Sequence, residues 1–522
     1  MILLWLIGIL IGGGLLAWIA GRYSPAAARW ISLGALLLDF LLVAGFGIVQ
    51  YETLPLKPDT WILELSYSWI PSFGISFHLA LDGLSLLLIS LTMFLGIIAV
   101  LVSWTEIHRR VGFYYFNLLW VLAGITGVFL AMDLFLFYFF WELMLIPMYF
   151  LIGIWGHERR LYAAYKFFLF TQASGLLLFL AILGLYYIHG QNTGQYTFAY
   201  AELLGTKMSS STSTWLLLGF LAAFLVKLAA APLHTWLPDA HAEAPTAGSL
   251  ILAGLLLKTG AYGLLRFAVP LFPEASTQLA PVMMILGAFS VLYGAILAFA
   301  QSDLKRLVAY TSVSHMGFVL LGVFAFNALA YHGVVIQLLA HGLSTGALFI
   351  IAGILQNRLA TRELSEMGGF WREAPGMGAL ALVFVMAALG LPGLGNFVAE
   401  FLILIGAWQA APVWAGIAAL GLLASAIYAL RIMQRVFHGP LQLERPLADL
   451  KIREWLMLLP MALLLLWLGL FPQIFIRQAD LPLQKILIRQ DAKEQGSTSL
   501  RNEEIKEEEG IFLPEPKTTH SR

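Results

Sequence analysis

The sequence has 522 residues, of which 60% are hydrophobic and 11% charged, with 30 Lys+Arg against 30 Asp+Glu. Soluble domains carry roughly a quarter charged residues, so an ordinary water-soluble enzyme is excluded. Zero cysteines exclude thiolate-held iron–sulfur clusters, cysteine zinc sites and covalently attached haem.

Apolar runs long enough to cross about 30 Å of hydrocarbon at 1.5 Å per residue recur from residue 1 to about 477. In chain order they predict helices near 2–20, 31–50, 79–104, 112–130, 134–155, 161–187, 214–232, 245–265, 280–300, 307–324, 329–354, 376–402, 412–431 and 456–476. The first run has no basic segment ahead of it and exceeds signal-peptide length, so it reads as a span. The fold class is therefore an all-α polytopic membrane protein of about fourteen transmembrane helices. The longest polar connections, 51–78, 188–213 and 431–455, are too short for a nucleotide-binding domain.

The chain divides into helices 1–3 over 1–111, helices 4–8 over 112–270, helices 9–13 over 280–436, and a loop with helix 14 over 437–477. The remainder, 478–522, is a polar tail with Glu503, Glu504, Glu507, Glu508 and Glu509, and its composition predicts disorder.

Fourteen spans place seven connections on one face, and these carry 16 Lys/Arg. The opposite connections carry three, Lys57, Lys207 and Arg266. The positive-inside rule then puts the basic face in the cytoplasm and both termini outside.

Several spans hold ionisable groups, which hydrocarbon penalises unless they are neutral, paired or hydrated. Glu142 sits mid-span in Phe140-Trp141-Glu142-Leu143-Met144. Lys227 precedes Pro232 and Pro238, which should break its helix. Lys258 follows Leu255-Leu256-Leu257 deep in a span, and Lys166 lies nearer the basic face, where its stem can snorkel. Glu400 follows Leu391-Pro392-Gly393-Leu394-Gly395-Asn396, a second interruption. Two broken helices bearing charges, in positions seven and twelve, suggest a repeat of five helices.

His315, His332 and His341 also lie in or beside spans. His332 and His341 are nine residues apart and face opposite ways on one helix, so His341, with Gln337 and Ser344 beside it, is the better interior candidate. Asp39 and Asp82 add carboxylates to early spans, and Asp133 opens the Glu142 helix. The 232–245 segment packs His234, Asp239, His241 and Glu243 among three prolines, which suits a proton entrance or rigid connector better than a metal site.

Moving one charge against 100 mV takes about 2.3 kcal/mol, and no P-loop or dinucleotide fingerprint supplies it. Three classes remain: an ion-translocating subunit of a redox-driven assembly, a secondary antiporter, or a haem-carrying cytochrome using intramembrane histidines.

The charged segments themselves carry a resemblance. Phe135–Leu143, Tyr162–Phe168, Lys227–His241, Thr311–Gly317, Gln337–Gly342 and Asn396–Phe401 closely resemble the antiporter-like membrane subunits of respiratory NADH:quinone oxidoreductase (complex I), and among them the chain M family. The resemblance covers about 75–440 well. It implies fourteen helices with two inverted five-helix repeats, and proton translocation coupled to quinone reduction. It also implies that Glu142 pairs with Lys227, and that Lys258 and hydrated histidines lead to a terminal Glu400. Within this picture Lys166, His234, His315 and His341 are candidates for proton entry and relay.

The resemblance assigns no cofactor to this chain and places FMN, iron–sulfur clusters and quinone on partner subunits of a large respiratory complex in a bacterial inner (cell) membrane. The alternative is a subunit of a cation/proton antiporter or membrane-bound hydrogenase complex. Ala399 stands where the family usually has glycine, and the acidic tail runs beyond the usual end.

Overall fold

The computed structural model describes residues 1–53, 61–441 and 447–488. Among them are 13 helices long and apolar enough to cross a membrane, and two shorter apolar helices, Pro375–Ala388 and Gly395–Ala410, stand where one further span is expected. Hydrocarbon leaves a spanning backbone no partner but itself, which is why the apolar runs fold as helices. The two spans whose apolar central stretch is wholly buried are Thr246–Leu271 and Ala328–Leu359. They are the spans that carry Lys258 and His341, so the most enclosed part of the bundle is also its most polar.

The expected interruptions are present. Ser210–Leu228 ends at Ala229, whose φ of 58° is left-handed, and a short helix resumes at Trp236–Glu243. Backbone groups freed by the break find side-chain partners: Trp236 Nε1 donates to Val226 O (3.0 Å) and Ala231 N donates to Ser290 Oγ (3.0 Å). In the other half Pro375–Ala388 stops short of Gly390 and Gly393, with φ of 81° and 94°, before Gly395–Ala410 begins. A third discontinuity is new. The 134–155 span divides at Met144 into Leu134–Leu143 and Leu145–Trp155, immediately after Glu142.

The Thr246–Leu271 span contains two wide π-helical turns, Leu252–Leu256 and Leu264–Ala268, on either side of Lys258. The extra residues in these turns carry the helix to Leu271, beyond the expected end at 265, and so correct the reading of Arg266 as a connection residue. Arg266 is buried in this span. Its guanidinium pairs with Asp82, and Nε donates to Tyr262 Oη (3.2 Å), which donates on to Phe129 O (3.0 Å). Asp82 also caps Gly83–Ser103 by accepting from Ser85 N (3.0 Å).

The 51–78 connection contains a β-hairpin that the helix count passed over. Leu63–Ile70 pairs antiparallel with Ile75–Leu81 around Gly74, at φ 65°. Asp133 fastens this hairpin to the Glu142 helix: Oδ2 accepts from Ser76 N and Oγ (both 2.9 Å), while Oδ1 caps Phe135 N and Leu136 N. Beyond Ile452–Leu470, residues 473–488 form a further helix that enters the stretch read as tail, where Asp480 Oδ1 meets His332 Nε2 at 2.9 Å. Lys57 and the acidic run 503–509 lie outside the described residues.

Breaking a buried pair from one side costs about 3–5 kcal/mol because an uncompensated charge remains. Arg266→Leu is therefore expected to lower the thermal inactivation midpoint of the detergent-purified assembly, and adding Asp82→Asn, which keeps the Ser85 cap, to recover most of it. Equal loss in the single and double variants would show that the pair is not the cause.

Candidate functional site

Four candidate residues from four different helices meet in the buried centre. Lys258 Nζ donates to Ala253 O (2.5 Å), in the wide turn before it, and lies 2.7 Å from His341 Nδ1. The rings of His341 and His315 are 5.6 Å apart at 66°. His315 Nδ1 is 2.8 Å from Glu400 Oε1, and all four side chains are at most 1% exposed. A π-helical turn widens the backbone and leaves a carbonyl open to a side-chain donor, which accounts for the position of the lysine amine.

These contacts link proton positions. An ammonium at Lys258 can only donate, and with the lysine in that form His341 offers Nδ1 as a lone pair and carries its proton on Nε2. An ionised Glu400 accepts from His315 Nδ1, leaving Nε2 to accept from Tyr428 Oη at 3.3 Å. Gln337 Nε2 donates to the same Glu400 oxygen at 3.2 Å. Glu400 itself sits in the second turn after the Gly390–Gly393 interruption.

The Glu142 end is arranged differently from the expected ion pair. Lys227 is buried in the last turn of its helix, where the macrodipole favours a cation. Its Nζ lies over the rings of Trp141 (5.2 Å) and Phe167 (5.8 Å), and no carboxylate of the described residues is within the 4.0 Å of an ion pair. Glu142 is half-buried, within electrostatic reach of Lys227, and its Oε1 rests against Gly175, where a β-carbon would collide with it. The aromatic face of Trp141 thus takes the cation that the neighbouring carboxylate was expected to hold. Lys227 is also joined to the Lys258 helix: a β-carbon on Gly260 would come within 2.6 Å of Phe224 O and 3.2 Å of Lys227 Cβ, so only glycine admits this approach.

On the basic face Lys166 Nζ pairs with Asp239 Oδ2 (2.6 Å), and Asp239 Oδ1 pairs with Arg306 (2.6 Å). His234 is buried beside this cluster against Tyr293 and Tyr310. His241 turns elsewhere and stacks on Phe349 at 4.3 Å, within electrostatic reach of Lys258 and Lys305. The two histidines and Asp239 therefore do not converge as a metal site would require. His332, assigned to the outer end, is accordingly remote from His341 in its contacts.

Tyr428 joins the candidate set from the structure, which also gives partners to Asp239, His241 and Gln337, already singled out in the sequence. Gln337 is one helical turn before His341, a spacing that places both on one face; Tyr428 carries no comparable signal. Many buried polar atoms along this line have no protein hydrogen-bond partner: Lys227 Nζ, both nitrogens of His241, His341 Nε2, Ser312 Oγ, Ser344 Oγ and Glu400 Oε2. Buried polar atoms are satisfied by protein or by water, and these unpartnered ones gather around the same titratable side chains.

Residues 131–427 match the family described as NADH:quinone oxidoreductase/Mrp antiporter, transmembrane region. The chain belongs to this family. It is 53% identical over 482 residues to the NADH-quinone oxidoreductase subunit M of Pseudomonas aeruginosa, covering 91% of this chain and 95% of that one. It is 50% identical over 487 residues to the subunit of the same name from Escherichia coli K12, covering 91% and 95%. Among solved structures it resembles a chain of respiratory complex I from Thermus thermophilus with bound NADH, at TM-score 0.83 and 33% identity, covering 94% of this chain and all of that one. Like these family members, the chain is a multi-pass membrane protein.

The order of contacts at Glu400 sets an expected ranking. His315→Leu should slow proton transfer most, Gln337→Leu severalfold and Tyr428→Phe least, because only the first two touch the carboxylate. Proton uptake by proteoliposomes containing the assembled complex measures this, and a larger effect from Tyr428→Phe would contradict the ranking.

Proposed function

We propose that the chain is a proton-translocating membrane-arm subunit of an NADH:quinone oxidoreductase. NADH oxidation and quinone reduction then occur on partner subunits that carry FMN, iron–sulfur clusters and quinone. The observation that carries this reading is the line Lys258–His341–His315–Glu400, buried and in hydrogen-bond or ring contact from end to end. Such a line moves protons by exchange between neighbouring lone pairs and needs no redox group of its own. The two halves, 112–270 and 280–436, act as inverted repeats, each with a broken helix that presents one charge to the interior. The face with Lys166, His234 and Arg306 lies in the cytoplasm of a bacterial cell, and both termini lie outside.

In this mechanism Asp239 holds Lys166 and Arg306 at the entrance, beside His234. Protons load the Lys227–Lys258 half through water. A partner-driven change at Glu142 then alters its attraction for Lys227. A unit pair about 5 Å apart at an effective dielectric of about 20 interacts by about 3 kcal/mol, comparable with the roughly 2.3 kcal/mol needed per charge and 100 mV. Release or recapture of the Lys227 cation by the Trp141 face changes the field on Lys258, whose proton passes to His341 Nδ1. The relay continues through His315 to Glu400 and outward.

Glu142→Gln and Lys258→Met are the direct tests, made on the complex reconstituted in liposomes. NADH oxidation should persist at a reduced rate while protons moved per NADH fall; unchanged rate and stoichiometry in both would remove these residues from the route.

A further inference from the structure

Away from the buried line, unpaired positive charge gathers at one corner of the basic face. Three turns, after Ile2–Ala20, at 104–110 and at 156–159, meet there around three cavities. One of about 520 Å³ is lined by Arg109, Arg110, Trp155, His157 and Arg160. A second of about 380 Å³ is lined by Arg22, Arg110, Trp18 and Phe113, and a third by Arg159, Arg160 and Tyr162. Arg110 lines the first two and Arg160 the first and third, so the three adjoin one another.

Elsewhere on this face Arg306 is answered by Asp239, Arg358 by Glu454 and Arg362 by Glu243 and Asp303, while Arg372 and Arg435 stand singly with no ion pair among the described residues. Among the described residues, Arg22, Arg109, Arg110, Arg159 and Arg160 form no ion pair, and all five are exposed. Arg22 and Arg159 lie over the rings of Trp18 (5.5 Å) and Tyr162 (5.1 Å). Three carboxylates are near: Glu158, Glu106 and the buried Glu243, which accepts from Arg159 N (2.8 Å) and pairs with Arg362 (3.5 Å). Glu158 is exposed, and Glu106, at the inner end, accepts from Thr246 N (3.0 Å) and Oγ1 (3.1 Å), with burial raising its pKa. Burial and the charges of Lys305 and Arg362 lower His157 to about 4, so it adds no charge at neutral pH.

The apolar side of the corner is equally distinctive. Trp18 packs on Phe113 and Phe116, and Phe113 on Phe150 and Trp155. Leu16, Ile19, Leu161 and Tyr162 are exposed next to the arginines. The helices Val111–Leu130 and Arg160–Thr193 also begin here, the second with Arg159 N held by Glu243 Oε2 (2.8 Å) and Arg160 N by His157 O (3.4 Å).

We propose that this corner binds the phosphate of an anionic phospholipid, with the acyl chains lying along Trp18, Ile19 and the Phe113 cluster. A free phosphate or a nucleotide would use the arginines and leave the adjoining exposed apolar surface bare, whereas a lipid covers both. Basic pockets between spans on the cytoplasmic side favour such headgroups. Only the leaflet that supplies the lipid depends on the orientation proposed above.

The test uses the assembled complex in nanodiscs of mixed phosphatidylglycerol and phosphatidylcholine, with retained lipid counted after purification. The wild type should retain phosphatidylglycerol preferentially. Arg109→Gln, Arg110→Gln and Arg160→Gln should each lower that preference by about fivefold, with phosphatidylcholine unchanged and millimolar inorganic phosphate without effect. Arg22→Gln, on an exposed turn, serves if the others reduce assembly. Proton pumping in the same variants reports separately on the function proposed above. Equal phosphatidylglycerol retention in wild type and variants would overturn the proposal. So would displacement by inorganic phosphate, which indicates a soluble anion, or loss of a neighbouring subunit from the variant complexes, which indicates a protein partner.

Discussion

The structure depends on one constraint: an ionisable side chain inside hydrocarbon must be solvated by the protein or by water the protein admits. Lys258 shows how this chain meets it. No carboxylate of the described residues pairs with the amine. A backbone carbonyl made available by a wide turn and a histidine lone pair solvate it instead. A buried ion pair would be stable but inert, since both partners lose by separating. A lysine solvated by neutral groups can give up its proton to one of them without leaving a bare charge behind.

The irregular backbone follows from the same need. The breaks at Ala229 and Gly390–Gly393, the split at Met144 and the two π-helical turns all begin or end within about two helical turns of Lys227, Glu400, Glu142 or Lys258. Each frees polar backbone in a region where lipid cannot satisfy it; those at Ala229, Met144 and the π-helical turns are buried in protein, while Leu391 and Pro392 in the remaining break are exposed on this chain. The regular, apolar spans lie toward the outside, as in Ile2–Ala20 and Pro25–Phe46, where the lipid permits nothing else.

Much of this was legible in the sequence, and the reasons are physical. Glu142, Lys227, Lys258 and Glu400 stand out because hydrocarbon penalises every charge in it, and the helical period alone separates His341 from His332. The prolines and glycines at 232 and 392–395 announce the two main interruptions. Partnerships were not legible. His341 is 83 residues from Lys258 and Glu400 is 85 from His315, and no periodicity records a contact between distant helices. The aromatic site for Lys227 was hidden because Trp141 reads as ordinary membrane packing. Arg266 was misplaced because π-helical turns lengthen a span without altering its composition. The hairpin did leave a signal, the alternation Leu63-Glu64-Leu65-Ser66, masked by the surrounding search for long apolar runs.

The central claim is that the charged and histidine side chains form one wetted route through the most buried helices. An experimental density map of the assembled complex, fine enough to resolve ordered water, tests it most directly. The account predicts water at Lys227 Nζ, between Lys227 and Lys258, and beside His341 Nε2 and Glu400 Oε2. A map in which apolar side chains close those spaces, with no water between the two lysines, would contradict it.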